Sequence, residues 1–287
     1  MKCGIDFAKF TWDGGASALG STAAEAVRLA DEAGFSTIAA MDHFFQIPMV
    51  GDYTEPMLDG YTFLGFAAGL TTQAKLQLMV TGVTYRHPGL LAKILTTLDV
   101  LSGGRAILGI GAAWNEQEHL GLGVPFPSTS ERYERLDECL AICTQMWSDD
   151  TGPFNGTHYQ LTETLSSPTN VAGAPEIMIG GMGPNKTLRL AARHAQAVNW
   201  FPIGKEGFEG LKVTLAKHCE TEGTDVDAIR LTLMTFPPGD DLDAWLSDME
   251  MYRSLGVDEV YLAPPSSTPI ADIERFAADV LPRLASM

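Results

Sequence analysis

LQLMVTGVTYRHP, residues 76–88, runs into a helical segment that ends LDVLSGGR at 98–105, and then into AILGIGAAWNEQEH, 106–119. An apolar run stops in small residues. A helix then begins on a proline and closes on a glycine pair, and a second apolar run stops in another glycine-rich turn. This is a strand–helix–strand unit of the type that builds a parallel sheet. Both strands end in residues that allow close backbone approach. In parallel α/β barrels the chemistry sits at the C-terminal strand ends. Thr81, Gly82 and Val83 after the first of these strands, with Gly111, Ala112 and Asn115 after the second, are therefore expected to line one rim of a pocket.

Outward from this unit the same alternation continues. Strands are expected at 3–7, 37–41, 76–80, 106–110, 176–179, 197–200, 231–236 and 259–263. Between and after them helices are expected at 22–33, 61–70, 89–101, 185–194, 205–222, 242–255 and 270–284. A further helix follows Ser130, a candidate N-cap, with Tyr133, Leu136, Leu140, Cys143 and Trp147 as its apolar stripe. Alternation throughout favours a (β/α)8 TIM barrel over a doubly wound sheet. One domain, 1–287, is expected, with insertion segments at the C-terminal rim. The irregular stretch around 148–175 is too long for a simple connector and reads as a folded excursion or a lid.

Composition narrows the function classes. The chain has 287 residues, 45% hydrophobic and 19% charged, with a formal net charge of −17. That charge argues against nucleic acid and anionic membrane as partners. No apolar run reaches the roughly 20 residues of a membrane helix, and MKCGIDF leads directly into a strand, so a cytoplasmic location is expected. Cys139 and Cys143, four apart on a helix, read as core residues rather than a metal pair. No HxH, HExxH, carboxylate cluster or GxSxG occurs, which disfavours metal and serine hydrolysis, and no metal ligand set is assigned.

Three segments carry candidate chemistry. In IGGMGPNK, 179–186, glycines meet a helix start, where free backbone N–H groups accept an anion. Gly180, Gly181, Met182 and Gly183 form either a phosphate cradle or an ordinary tight turn. Asp42–His43 follows the second strand; His43 can exchange protons or hydrogen-bond a substrate, and Asp42 can hold a cofactor or fix backbone. After the fourth strand, Glu116 is a candidate general acid and Asn115 a polar orienter; the alternative is that Glu116 and Glu118 form a solvated helix start. His87 either shapes the helix that begins at Pro88 or reaches the pocket, whereas His158, His194 and His218 read as peripheral.

Taken together, DHFF (42–45), VTGVTYRHPGLLAK (80–93), LDVLSGGRAILGIGAAWNEQEH (98–119), ERYERLDECLAICTQMW (131–147), FNGTHY (154–159) and IGGMG (179–183) resemble the luciferase-like monooxygenase superfamily along nearly the whole chain. The resemblance implies a (β/α)8 barrel, usually dimeric, that binds FMN or coenzyme F420 at its C-terminal rim. TGVTYRHP and GAAWNEQEH are more similar to the F420-dependent oxidoreductase branch. That branch implies hydride transfer between the deazaflavin C5 and a small substrate, with Asp42 and His43 as its acid–histidine pair. It places a non-proline cis peptide at Gly82–Val83 and cofactor phosphate on IGGMG. His43 leads as proton-exchanging residue, with Glu116 second. Three features depart from the sugar-phosphate dehydrogenases of the branch: Trp114 stands where they carry a glutamate, with Glu116 two residues later, Phe44 and Phe45 follow the histidine where they carry a tryptophan, and no lysine–arginine set for a substrate phosphate is present. An FMN-dependent monooxygenase served by a separate reductase, or a non-catalytic flavin-binding protein, remain the alternatives.

Overall fold

A computed structural model describes residues 1–287. In chain order the elements are β1 (Lys2–Phe7), α1 (Ala16–Ala33), β2 (Thr37–Ala40), α2 (Gly60–Ala68), β3 (Lys75–Leu78), β4 (Thr81–Gly82), α3 (Pro88–Ser102) and β5 (Ala106–Gly111). Next come α4 (Glu116–Leu122), α5 (Thr129–Met146), β6 (Phe154–Asn155), β7 (Gln160–Leu161), β8 (Glu176–Gly180), α6 (Thr187–His194), β9 (Ala197–Trp200) and α7 (Gly204–Glu222). The chain ends with β10 (Arg230–Met234), α8 (Leu242–Ser254), β11 (Val257–Leu262), α9 (Pro269–Asp279) and α10 (Leu281–Ala285).

The strand order is β3-β2-β1-β11-β10-β9-β8-β5-β4, and a further β3–β5 pairing closes it on itself. β3 and β4 are two halves of one stave, so the result is an eight-stave parallel barrel, the (β/α)8 fold that the alternation predicts. Alternation along each strand decides what faces the helices. Ile5 and Phe7 of β1 join the main apolar core, with Ile38, Leu76, Leu108, Ile177, Val198, Leu233 and Val260 of the other staves. The residues between them point into the barrel and are far more polar: Asp6, Gln77, Asn199, Thr232 and Glu259 are all buried.

The N-terminal end of the barrel is plugged. Arg230 reaches Glu176 at 2.5 Å and Glu259 at 3.3 Å, and Glu259 also accepts from Ser36 at 2.6 Å and Thr37 at 2.8 Å. Only the C-terminal end is left for a ligand.

Three local expectations need correction. α1 begins at Ala16 rather than 22, because the alanine-rich stretch sustains a helix through Gly20. α5 is capped by Ser128, whose hydroxyl accepts from the Glu131 N–H at 3.3 Å; Ser130 lies inside the helix. The non-proline cis bond is Met79–Val80, not Gly82–Val83. Of the two readings open for 148–175, the segment's contacts are those of a folded excursion, a strap tied to α5 and α3. Glu138 of α5 accepts from the N–H groups of Thr157, His158 and Tyr159. The strap then descends α3, where Asp99 accepts from Val171 N–H at 2.8 Å. Only its β6–β7 hairpin rises toward the rim, with Tyr159 edge-on to His87 at 5.4 Å. The segments that do stand at the rim are the 41–59 loop and α4. No helix is long and apolar enough to cross a membrane.

Candidate active site at the C-terminal rim

The rim is built on an interrupted stave. After β3 the backbone bulges at Met79–Val80 and resumes pairing as β4, with Thr81 opposite Ile110 and Gly82 opposite Gly111. Asp42 holds the bulge in place. Its Oδ2 accepts from the Gly82 N–H at 3.0 Å and from Arg86 Nη1 at 2.6 Å. Arg86 also reaches Asp59 at 3.2 Å and lies 4.7 Å over the Tyr61 ring, while the Tyr61 hydroxyl meets Thr81 Oγ1 at 2.7 Å. Burial pushes the Asp42 carboxyl above its ordinary range, against the opposing pull of Arg86 and the Gly82 N–H. Of the two roles open to Asp42, the geometry shows backbone fixing.

The bulge turns the Val80 side chain into the barrel mouth. A Cβ on Gly180 would stand 2.9 Å from Val80 Cγ1, and one on Gly111 3.1 Å from Cγ2. The glycines at the ends of β5 and β8 therefore leave the room that Val80 fills. Val83 is buried, and its N–H donates to Gly111 at 3.1 Å. Ala112 is half-buried and packs against the core. Ala113 beside it takes a left-handed backbone, φ 59°.

Across the mouth, α4 brings in a second carboxylate, Glu118. Asn115 caps this helix, its Oδ1 accepting from the Glu118 N–H at 3.4 Å. Glu116 is exposed in the first turn, whereas Glu118 is fully buried. Glu118 Oε2 lies 3.0 Å from His43 Nδ1 and accepts from the Tyr85 hydroxyl. Its Oε1 accepts from the N–H groups of Phe44 and Phe45. Burial alone would raise the Glu118 carboxyl, but these donors, His43 and Tyr85 first, hold it below the ordinary carboxylate range. The reading of Glu118 as part of a solvated helix start is thus overturned: Glu116 fits it, Glu118 does not. With Nδ1 facing the Glu118 carboxylate, the other ring nitrogen of His43, Nε2, is not engaged by it. The His43 ring stands edge-on to exposed Trp114 at 5.4 Å.

The other histidines have structural partners. His119 is enclosed between Asn115 O at 2.6 Å and Thr84 Oγ1 at 2.6 Å. His87 caps α3, accepting from Gly89 N–H at 3.2 Å. His158 pairs with Glu134, His194 with Asp137, and His218 with the Pro184 carbonyl, all away from the mouth. Cys139 and Cys143 are enclosed in the α5 core.

The IGGMG turn lies on the far side of Val80. Gly181 adopts φ 122°, a left-handed backbone, and its N–H donates to Asn199 O at 3.0 Å. The N–H groups of Met182, Gly183, Asn185, Lys186 and Thr187 have no acceptor within the protein. These are free amides at the start of α6, whose dipole adds to their pull on an anion. Lys186 turns outward, 3.1 Å from Ser130 Oγ and 5.5 Å over the Tyr133 ring.

A sequence profile of luciferase-like monooxygenases matches residues 6–259. The chain belongs to the luciferase-like monooxygenase family. Among curated relatives, this luciferase-like chain is 32% identical over 171 residues to an F420-dependent glucose-6-phosphate dehydrogenase of Microbacterium testaceum, covering 58% of this chain and 48% of that protein. The chain thus spans about half the length of that relative. An uncharacterised protein of Mycobacterium tuberculosis, Rv0953c, is 28% identical over 275 residues, 90% of this chain and 94% of its own. Among solved structures, an F420-dependent secondary alcohol dehydrogenase in complex with an F420-acetone adduct superposes with a TM-score of 0.81 at 17% identity over 99% of each chain. At that identity the likeness is one of fold.

Proposed function

We propose that this luciferase-like chain is a coenzyme F420-dependent oxidoreductase acting on a small organic substrate. The observation that carries the reading is the row of acceptor-less N–H groups from Met182 to Thr187, next to a glycine-lined mouth backed by Val80. A phosphate-bearing, planar cofactor fits both parts, and the F420-dependent relative supports the choice of cofactor. When bound, coenzyme F420 accepts or donates a hydride at C5 of its deazaflavin ring.

In this reading the protein contributes position, water exclusion and proton handling. Gly180, Gly181, Met182 and Gly183 receive the phosphate. Thr81, Gly82, Val83, Gly111 and Ala112 form the wall behind the ring, with Asp42 as the anchor of that wall. Asn115 sets the pitch of α4 and so of Glu118. His43, oriented by Glu118, presents Nε2 to the substrate side and hydrogen-bonds or exchanges a proton there. Glu118 replaces Glu116 as the second residue of this pair.

The substrate we favour carries no phosphate. Arg86 is neutralised by Asp42 and Asp59, and Lys186 is turned toward Ser130. Trp114, Phe201 and Phe236 at the ends of β5, β9 and β10 are exposed and apolar instead. A cytoplasmic homodimer is the working form we infer; exposed Phe66, Leu90 and Leu101 on α2 and α3 offer it an apolar face, and sedimentation of the purified protein tests it.

Titration of the purified protein with coenzyme F420 and, separately, with FMN tests the cofactor. At about 100 times its dissociation constant a ligand stabilises the fold by roughly 2.7 kcal/mol. Such a melting shift with F420 alone supports the proposal. A shift with FMN alone moves the chain to the monooxygenase reading, and no shift with either overturns the cradle.

A further inference from the structure

β1 reads KCGIDF, an apolar strand with one acid in it. Asp6 lies between Ile5 and Phe7, both of which face the helices, so its side chain points into the barrel. It is 2% exposed, and its Oδ1 has no hydrogen-bond partner. Strand tilt staggers the inward positions of alternate staves into shared layers. Following the pairings around the barrel places Asp6 in one layer with Met79, Gly180 and Met234. That layer lies directly beneath the strand ends, at the level of the Val80 bulge and the first glycine of the cradle. In the next layer down on the same alternate staves lies Gln77, fully buried, with neither amide atom bonded. The contact between Thr232 Oγ1 and Met178 Sδ, 3.7 Å, confirms how these layers are composed.

Buried polar groups in folded proteins have partners, and a carboxyl enclosed without one costs stability. Groups that break this rule inside a pocket are functional candidates. Asp6 shares its layer with Gly180, which has no side chain, and the small residues Ala39 and Gly109 lie in the layer directly beneath it. No charged group of the packed staves bonds to it. Glu259 is tied to Arg230, Ser36 and Thr37 at the plugged end, Asp42 to Arg86, and Glu118 to His43. Tyr261 is the remaining titratable side chain of the barrel interior.

We propose that Asp6 is a catalytic residue of this site, a carboxylic acid on the pocket floor that exchanges a proton with the substrate's reacting group. The inference rests on the F420-dependent reading above. In the reducing direction the substrate's C=X bond, X being oxygen or nitrogen, receives hydride at carbon from the reduced deazaflavin. The π pair moves to X, and X takes the proton from Asp6, which is left as carboxylate. Oxidation runs the same exchange backward. Burial alone lifts the carboxyl to about 7, so it holds its proton at neutral pH without a partner. His43 meets the substrate from the rim, Asp6 from below.

The test compares wild type, Asp6→Asn and Asp6→Glu. Each is titrated with F420, melted, and then mixed as the reduced-F420 complex with a panel of small ketones, enones and imines between pH 5 and 9. Expected are F420 affinity within about 2-fold of wild type, hydride transfer slowed by about 100-fold or more in Asp6→Asn, and partial recovery in Asp6→Glu. The wild-type rate should fall as pH rises through about 7, and that step should vanish in Asp6→Asn. Asp6→Asn that binds F420 and transfers hydride at the wild-type rate and pH profile overturns the role, leaving Asp6 as the partner of an internal water. Wild type that fails to bind F420 overturns the cofactor reading and the role with it, so the two failures are distinguishable.

Discussion

The Glu118 carboxylate lies 3.0 Å from Nδ1 of His43, 75 positions away in the chain, and the same carboxylate closes the Phe44–Phe45 turn through two backbone N–H groups. One side chain therefore sets both the position of His43 and the conformation of the turn that follows it. Glu118→Gln keeps the shape but removes the charge, and turnover is expected to fall by about 10² while F420 affinity changes little. Glu116→Gln, on the exposed face, should leave both within 2-fold of wild type. Equal losses in the two variants would remove Glu118 from the site.

The same residue shapes stability in acid. Its folded carboxyl lies below the ordinary range, so its stabilising contribution is present above the unfolded value of about 4.3 and is lost as pH falls through the folded value. Melting curves of wild type should drop more steeply below pH ~4 than those of Glu118→Gln. Parallel curves would show that the hydrogen bonds to Glu118 contribute nothing to folding.

Asp42 tests the anchoring of the bulge. Asp42→Ala leaves buried Arg86 with only half-exposed Asp59 and leaves the Gly82 N–H without an acceptor. Breaking such a pair costs about 3 kcal/mol, read as a lowered melting midpoint. Cofactor affinity should fall as well, since Gly82 is released. Full stability with full affinity would show that the bulge holds without Asp42.

The cradle is tested at Gly181. At φ 122° an alanine is strained, and its methyl would stand 3.3 Å from Thr187 Cγ2. Gly181→Ala should weaken F420 by about 10-fold or more, roughly 1.4 kcal/mol, with the barrel still folded. Lys186→Ala should change affinity little, because Lys186 points to Ser130. The reverse order of effects would move the phosphate from the amides to the lysine.

Asp6 makes a stability prediction of opposite sign. Its folded carboxyl is raised to about 7, so the acid loses stability as pH climbs from the unfolded value toward 7. The loss above pH 7 is of order 4 kcal/mol at most. Asp6→Asn should melt higher than wild type at pH 8 and much closer to it at pH 4. A variant less stable than wild type at pH 8 would mean that the carboxylate is already paired.

The alternation that builds the barrel and the free amides of the IGGMG turn were legible in the sequence because both are local. A strand–helix–strand unit declares itself by an apolar run, a Pro start and a Gly stop, as in 76–105, and the IGGMG turn needs only its own residues to free its amides. The pair partner of His43 was not legible in this way. Glu116 and Glu118 are two positions apart on a helix, hence on nearly opposite faces. Which face meets His43 depends on how Asn115 starts α4 and how α4 docks. Asp6 stands out in the sequence as an acid inside an apolar strand, but a single inward position in an eight-stave barrel has meaning only once the layers are known.

By itself, the sequence determined the alternation of strands and helices, the parallel barrel that this alternation requires, and the rim on which small residues end the strands. Periodicity, capping and backbone preference act over a few residues, so composition along the chain suffices for them. Tertiary structure alone decided the Met79–Val80 bulge under Asp42, the route of the 148–175 strap along α3 and α5, the choice of Glu118 over Glu116, and the solitary burial of Asp6. Each depends on which side chains meet across staves far apart in sequence, and such meetings are set by barrel closure and stagger rather than by any local stretch.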